Sequence, residues 1–316
     1  MNSQTYRRWA RPASILFATE LPANERVFGF ALAEARNAGA RLVIFHAYDT
    51  LVVSASDTSG VRYYDFAAAA RTEMKKLEPL AERARAVGVE CEIVVHQGLA
   101  PQLILECARD KHVDRIVLGT RCPGPLGKIL VGSVAEEVLR QSEVPVCTIG
   151  PEAVDQGYQG YKAKTIVLAT SLNETAAAAG ALAAEIAVND GARLLLLHVI
   201  HPDHSSETLS HRSIEQLEGD LKSLVPVELR GLIETEALVI PGEPAEEIFF
   251  QVKTKHADVL ILGAQEASLF STLTRHGTVY RILGHSPCPV FTLSPRALQY
   301  AREEVTSLEV HLARSV

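Results

Sequence analysis

No stretch of the 316 residues approaches 18 uninterrupted apolar positions, so no helix is expected to span a membrane. Basic residues are the minority charge: 31 Lys and Arg stand against 38 Asp and Glu, a net charge of -7. That balance argues against a nucleic acid or an anionic membrane as partner, since each needs a basic face. Cysteine is sparse. Five residues (Cys91, Cys107, Cys122, Cys147 and Cys288) are scattered and never spaced C-x2-C, which reads as reduced thiols in a cytoplasmic protein. Catalytic signatures are missing too: the chain has no Walker A loop, no G-x-S-x-G and no H-E-x-x-H. The Arg7-Arg8 pair is followed by an apolar run of only Ile15 to Ala18, too short for a signal sequence, so a polar arm leading into the first strand is expected.

What is present is a core. Hydrophobic residues make up 47% of the chain and charged ones 22%, and the length suffices for two domains of ordinary size. Ser14–Thr19 reads as a short buried strand. Glu20–Asn24 is a turn, with Asn24 placed to cap a helix bearing Phe28, Ala31, Leu32 and Ala35 and ended by Gly39. Leu42–Ala47 is a second strand, 64–87 a helix stopped by Gly88, and 89–95 a third strand. A helix carrying Leu103, Ile104 and Cys107 follows. Strands alternating with helices predict βαβ units, a mostly parallel sheet and a Rossmann-like α/β fold. Ligands of such sheets sit beyond the carboxyl ends of the strands.

The most informative stretch is Ile116 to Ile149. An apolar strand ends at Gly119, a loop holding Pro123, Gly124, Pro125 and Gly127 follows, Gly132-Ser133 opens an amphipathic helix, and Val144–Ile149 is a closing strand. A helix start after such a loop collects unpaired N–H groups and partial positive charge, which suits a phosphate. Ser133 with Glu136 three residues on reads as a capping box, and the Ser133 hydroxyl is equally a phosphate donor; the two uses compete. The second half repeats the first. Gly39-Ala-Arg-Leu matches Gly191-Ala-Arg-Leu, and Gly98, Asp114, Gly119 and Ser142 recur at Gly242, Asp258, Gly263 and Ser286 with one offset of 144. The expected division is 1–150, 151–294 and a C-terminal amphipathic helix at 295–316, capped by Ser294 and carrying Leu298, Ala301, Val305, Leu308 and Leu312.

These residues resemble the universal stress proteins, here in tandem. The family signature G-x2-G-x9-G-[ST] falls on Gly119, Cys122, Gly132 and Ser133, with Cys in place of the second Gly. Asp114, His46 and the S-x-x-P-V run at Ser142 also match. The resemblance implies two adenine nucleotide alpha hydrolase-like domains, each a five-stranded parallel sheet of order 3-2-1-4-5 flanked by helices. It implies ATP in domain 1, across Ala18, Thr19, Glu20, Ala47, Leu118, Gly119, Arg121, Cys122, Gly132, Ser133 and Val134, and is silent on magnesium. Glu20 stands where the family usually has Asp, with reach to a ribose hydroxyl, and Arg121 can face phosphate. The second copy has drifted: Ser171 replaces the acidic residue, Glu266 puts a carboxylate where the second Gly belongs, and Gly277-Thr278 lies one residue beyond the family spacing after Gly263. Glu266 would repel a triphosphate, so this degenerate site is expected to bind ATP poorly or not at all.

The remaining candidates are weaker. His46 and His198 read as satisfied strand-end histidines, and His201, His204 and His211 lack a fourth zinc ligand at sensible spacing. Cys122 beside Arg121 has no resolving Cys nearby, and Tyr63-Tyr64 reads as packing. The S-G-G-x-D-S-like loop of ATP-pyrophosphatases is absent after strand 1. The expected function is an adenine-nucleotide-binding stress-response regulator with an unidentified protein partner, in which any ATP hydrolysis is slow. A nucleotide-free interaction protein, using the loops at 50–65 and 200–215, is the alternative. Strand 5 of each half is expected to pair within the chain as a pseudo-dimer, with a homodimer also open.

Overall fold

A computed structural model describes residues 3–48, 66–120, 131–153, 162–173, 175–202, 213–263 and 278–303. The expectations for 49–65, Arg121, Cys122, His204, His211, Glu266, Gly277 and the tail beyond 303 fall on residues outside them.

The first half runs α1 (Ser3–Ala10), β1 (Ser14–Ala18), α2 (Glu25–Ala38), β2 (Arg41–Tyr48), α3 (Phe66–Ala86), β3 (Cys91–Gln97), α4 (Ala100–Asp110), β4 (Arg115–Gly119), α5 (Ser133–Gln141) and β5 (Val146–Ile149). The second runs β6 (Thr165–Ala169), α6 (Ala176–Asp190), β7 (Arg193–Ile200), α7 (Ile214–Ser223), β8 (Thr235–Pro241), α8 (Pro244–Thr254), β9 (Val259–Leu262), α9 (Thr278–His285) and β10 (Val290–Thr292). A last helix, α10, covers 295–303.

The strands form one ten-stranded sheet of order β3-β2-β1-β4-β5-β10-β9-β6-β7-β8. Each half is therefore a parallel 3-2-1-4-5 sheet. The halves meet where β5 and β10 pair antiparallel, Thr148 opposite Val290 and Val146 opposite Thr292. Each strand has only three or four residues, yet an open edge on either would be a template for another chain, and the pairing covers both. β1, β5 and β6 are buried along their length and β4 is buried up to half-buried Gly119, as sheets covered on both faces require.

The repeat extends to hydrogen bonds. The Asp114 carboxylate accepts from the N–H groups of Ala13 (2.7 Å) and Ser14 (3.2 Å), and Asp258 does the same for Lys164 (2.7 Å) and Thr165 (2.9 Å). An acidic residue before the fourth strand thus holds the entry of the first. Gly39 and Gly191 close α2 and α6 in the left-handed region, at φ 67° and 69°, where a side chain would be strained.

Two expectations are corrected here. Residues 3–10 are not a polar arm but helix α1, with Trp9 fully buried and Tyr6 nearly so, packed on α6 of the second half. Tyr6, Trp9 and Ala10 recur at helical spacing, and burial of that face outweighs the polarity of the rest. The helix α5 is capped at Gly132, not Ser133: Ser133 is its first residue, no side chain caps it, and the first helical bond runs from Glu136 N–H to the Gly132 carbonyl (2.9 Å). The capping box is therefore not formed. Ser294 does cap α10, accepting from Ala297 N–H (2.9 Å) while donating to the Ser142 carbonyl across the junction.

Candidate functional site

In a 3-2-1-4-5 sheet the chain leaves β1 and β4 in opposite directions, and the crevice between their carboxyl ends is the place for a ligand. Here that crevice is a cavity of about 840 Å³. Ligand pockets commonly hold about 300–1,000 Å³. Ala18, Thr19, Glu20, Ala47, Leu118, Gly119, Gly132, Ser133 and Val134 all line it, so every described residue singled out for the first site is brought to one cavity.

Each wall has a local cause. At the end of β1, Thr19 N–H bonds to the Phe45 carbonyl (3.0 Å) and His46 Nδ1 donates to the Thr19 carbonyl (2.9 Å). His198 repeats that bond to Thr170 (2.9 Å), so both histidines hold strand ends and neither is needed as a metal ligand. Among the described residues no group of His, Cys, Asp or Glu could hold a metal ion. At the end of β4, Gly119 is kept small by α2: a Cβ there would lie 3.2 Å from Val27 Cγ2. Across the cavity α5 begins. Its first helical bond uses the N–H of Glu136, which leaves the N–H groups of Ser133, Val134 and Ala135 outside the helical ladder at the positive end of the helix. The Asn24 side chain already takes the N–H groups of Arg26 and Val27, so the start of α2 is spent on its own cap.

The wall beyond Ile149 belongs to both halves. Thr120 N–H bonds to the Ile149 carbonyl (3.1 Å) and its hydroxyl donates to the Leu283 carbonyl of α9 (3.2 Å). Arg26 Nη1 donates to the carbonyls of Pro151 (2.7 Å) and Ala153 (2.9 Å), and Glu152 between them meets His285 Nδ1 at 2.5 Å. Sequence reasoning missed Arg26. The Asn24 cap had placed it in the first turn of a helix at the carboxyl edge, and that was the signal available.

The second copy is less assembled. Ser171 is exposed, and Gly263 and Thr278 are partly buried. Leu172, next to Ser171, takes φ 57° with its N–H on Thr170 Oγ1 (3.3 Å), a conformation costly for a branched side chain. A Cβ at Gly263 would lie 3.2 Å from the same Thr170 oxygen.

Two other features carry less chemistry. A cavity of about 560 Å³ lies at the amino ends of the strands, but its charged groups serve one another: Arg8 Nε meets Asp114 at 3.0 Å and Arg109 lies 3.9 Å from Glu143. Burial disfavours the thiolate at the four described thiols, pushing Cys91 and Cys107 up to about 11, Cys288 up to about 12 and Cys147 well above its ordinary value. At the junction, buried Arg115 pairs with Glu34, donates to the Trp9 carbonyl (2.6 Å) and lies 4.7 Å over the Phe291 ring. Burial pushes the Glu34 carboxyl up against the pull of Arg115.

Comparison with known proteins agrees with this geometry. The sequence model of the universal stress protein family matches residues 13–149 and again 162–294. A Thermus aquaticus universal stress protein, encoded in the QAH/OAS sulfhydrylase 3' region, is 32% identical over 126 residues, covering 40% of this chain and 88% of that one. The universal stress protein YxiE of Bacillus subtilis is 33% identical over 122 residues, covering 36% and 82%. Among solved structures, a universal stress protein from Archaeoglobus fulgidus superposes with TM-score 0.64 at 20% identity, over 89% of this chain and 96% of that one.

Proposed function

This chain belongs to the universal stress protein family, and from that membership we propose that its first half, 1–150, binds an adenine nucleotide and acts as a regulatory module. The second half, 151–294, is the structural partner that completes the sheet, and the described part of the C-terminal segment, 295–303, braces the junction. One observation carries the reading. The described residues that the resemblance singles out line one cavity at the β1/β4 crevice, with the N–H groups of Ser133, Val134 and Ala135, outside the helical ladder of α5, on one side of it. A phosphate at those groups meets donors already aimed and a favourable helix dipole. Glu20 at the end of β1 lies on the same cavity and is the group for a ribose hydroxyl. Ser133 adds a hydroxyl donor, since the helix cap does not use it.

ATP is the ligand we assign. The test is thermal unfolding with and without ATP: at 100 times its Kd a ligand adds about 2.7 kcal/mol of stability. An upward shift that saturates with ATP is the expected result. An unshifted transition at millimolar ATP refutes nucleotide binding and leaves the protein as an interaction module of the same fold.

A further inference from the structure

The cavity holds a residue outside the G-x2-G-x9-G-[ST] signature. Arg26 is the only Lys, Arg or His among the described residues lining it, beside two carboxylates, Glu20 and Glu25. Glu25 is taken by Arg83 at 2.7 Å. Arg26 stands in the first turn of α2, where a cation opposes the helix dipole, so local propensity does not account for it. Its anchors are neutral: Nη1 donates to the Pro151 and Ala153 carbonyls, and among the described residues Nε and Nη2 carry no hydrogen bond. Pro151, one of those two anchors, lines the same cavity as Gly119 and the α5 start. On the nucleotide reading above, Gly119 and the α5 start form the phosphate side of the cavity. The second repeat offers a contrast: α6, which replaces α2 there, contains neither Lys nor Arg.

We propose that Arg26 is a ligand-contacting residue that selects phosphorylated over unphosphorylated adenine nucleosides, its free N–H groups taking phosphate oxygens while Nη1 stays on the 151–153 carbonyls. This rests on the nucleotide reading above. Two parallel N–H donors in a rigid planar fork suit a phosphate, and a charge-assisted bond in a half-buried cleft outweighs a neutral one.

Isothermal titration with ATP, AMP and adenosine, on the full chain, tests it. Arg26→Gln keeps donors for the linker carbonyls and removes the charge; Arg26→Lys keeps the charge without the fork. In Arg26→Gln, ATP affinity is expected to fall about tenfold or more, ~1.4 kcal/mol, while adenosine changes less than about twofold. Arg26→Lys should recover part of the preference for ATP. Ligand-free thermal unfolding of both variants near the wild-type transition shows that the fold is kept. Equal weakening of ATP and adenosine in Arg26→Gln assigns Arg26 to the linker alone and overturns the inference, as does unchanged ATP affinity. In either case wild-type ATP binding still stands for the broader reading. A wild-type protein that takes up none of the three ligands overturns both.

Discussion

The assignment of the α5 amides can be tested with a substitution that the helix tolerates. Ser133 is the first residue of α5, and Gly132 before it has φ -61° and ψ 149°. Those angles lie in the region that a residue preceding proline prefers. Proline is itself favoured at the first helical position, where its fixed φ suits the helix and its missing N–H costs no helical bond. Ser133→Pro therefore deletes one of the three open donors and leaves the others in place. A hydrogen bond to a charged group contributes about 1.5–3 kcal/mol, so ATP affinity should fall about ten- to a hundredfold. Ser133→Ala is the control, removing the hydroxyl and keeping the N–H. Titration calorimetry with ATP on both variants separates the two donors. Ligand-free unfolding of Ser133→Pro should match the wild type or exceed it by up to about 1 kcal/mol, because proline restricts the unfolded chain. If Ser133→Pro binds ATP as tightly as Ser133→Ala, the amide is not a ligand donor and the helix-start argument fails.

Further expectations concern the frame that holds the site. Asp114→Ala removes two charge-assisted bonds to the N–H groups of Ala13 and Ser14, a loss of about 3 kcal/mol, and Asp258→Ala should lose a similar amount in the second half. Urea unfolding decides, and a loss under about 1 kcal/mol at both positions would reject the shared role. Gly180→Ala would set a Cβ 2.6 Å from Leu224 Cβ and 2.6 Å from its carbonyl oxygen. Overpacking there should cost about 1–3 kcal/mol, and a stabilised variant, as helix propensity alone predicts, would contradict the contact. Asp190 has its carboxyl pushed up mainly by burial, against the pull of the Ala163 N–H and other groups. Its ionised form thus costs stability above the raised value, and acidification toward the ordinary 3.8 removes that cost as the folded state takes up the proton first. Asp190→Asn should flatten this part of the stability–pH curve; an unchanged curve would show that Asp190 does not contribute.

Much of this molecule is written along the chain. Strand and helix positions follow from local apolar patterns, and the carboxyl-end site follows from βαβ order, so Ala18, Gly119 and Gly132 could be grouped before any coordinates. The offset of 144 between copies even anticipated that Asp114 and Asp258 would be equivalent, though not that each accepts two backbone N–H groups. Strand ends were less legible: the third strand was expected at 89–95 and runs Cys91–Gln97. The start of α5 was read one residue late in function, because a Gly-Ser pair suits a cap at either residue and only backbone angles choose between them.

What the sequence by itself determined is therefore the repeated unit: its fold, its family and the short segments that make up the crevice. What the tertiary structure alone decided is everything that joins units. Trp9 is buried because α6 of the other half covers it, Arg115 is tolerated in the core because Glu34, the Trp9 carbonyl and Phe291 converge on it, and Arg26 is held by a linker 125 residues away. Periodicity reports which face of a segment is apolar. It carries no information about which distant segment supplies the partner, and a buried charge or an anchored guanidinium exists only through that partner.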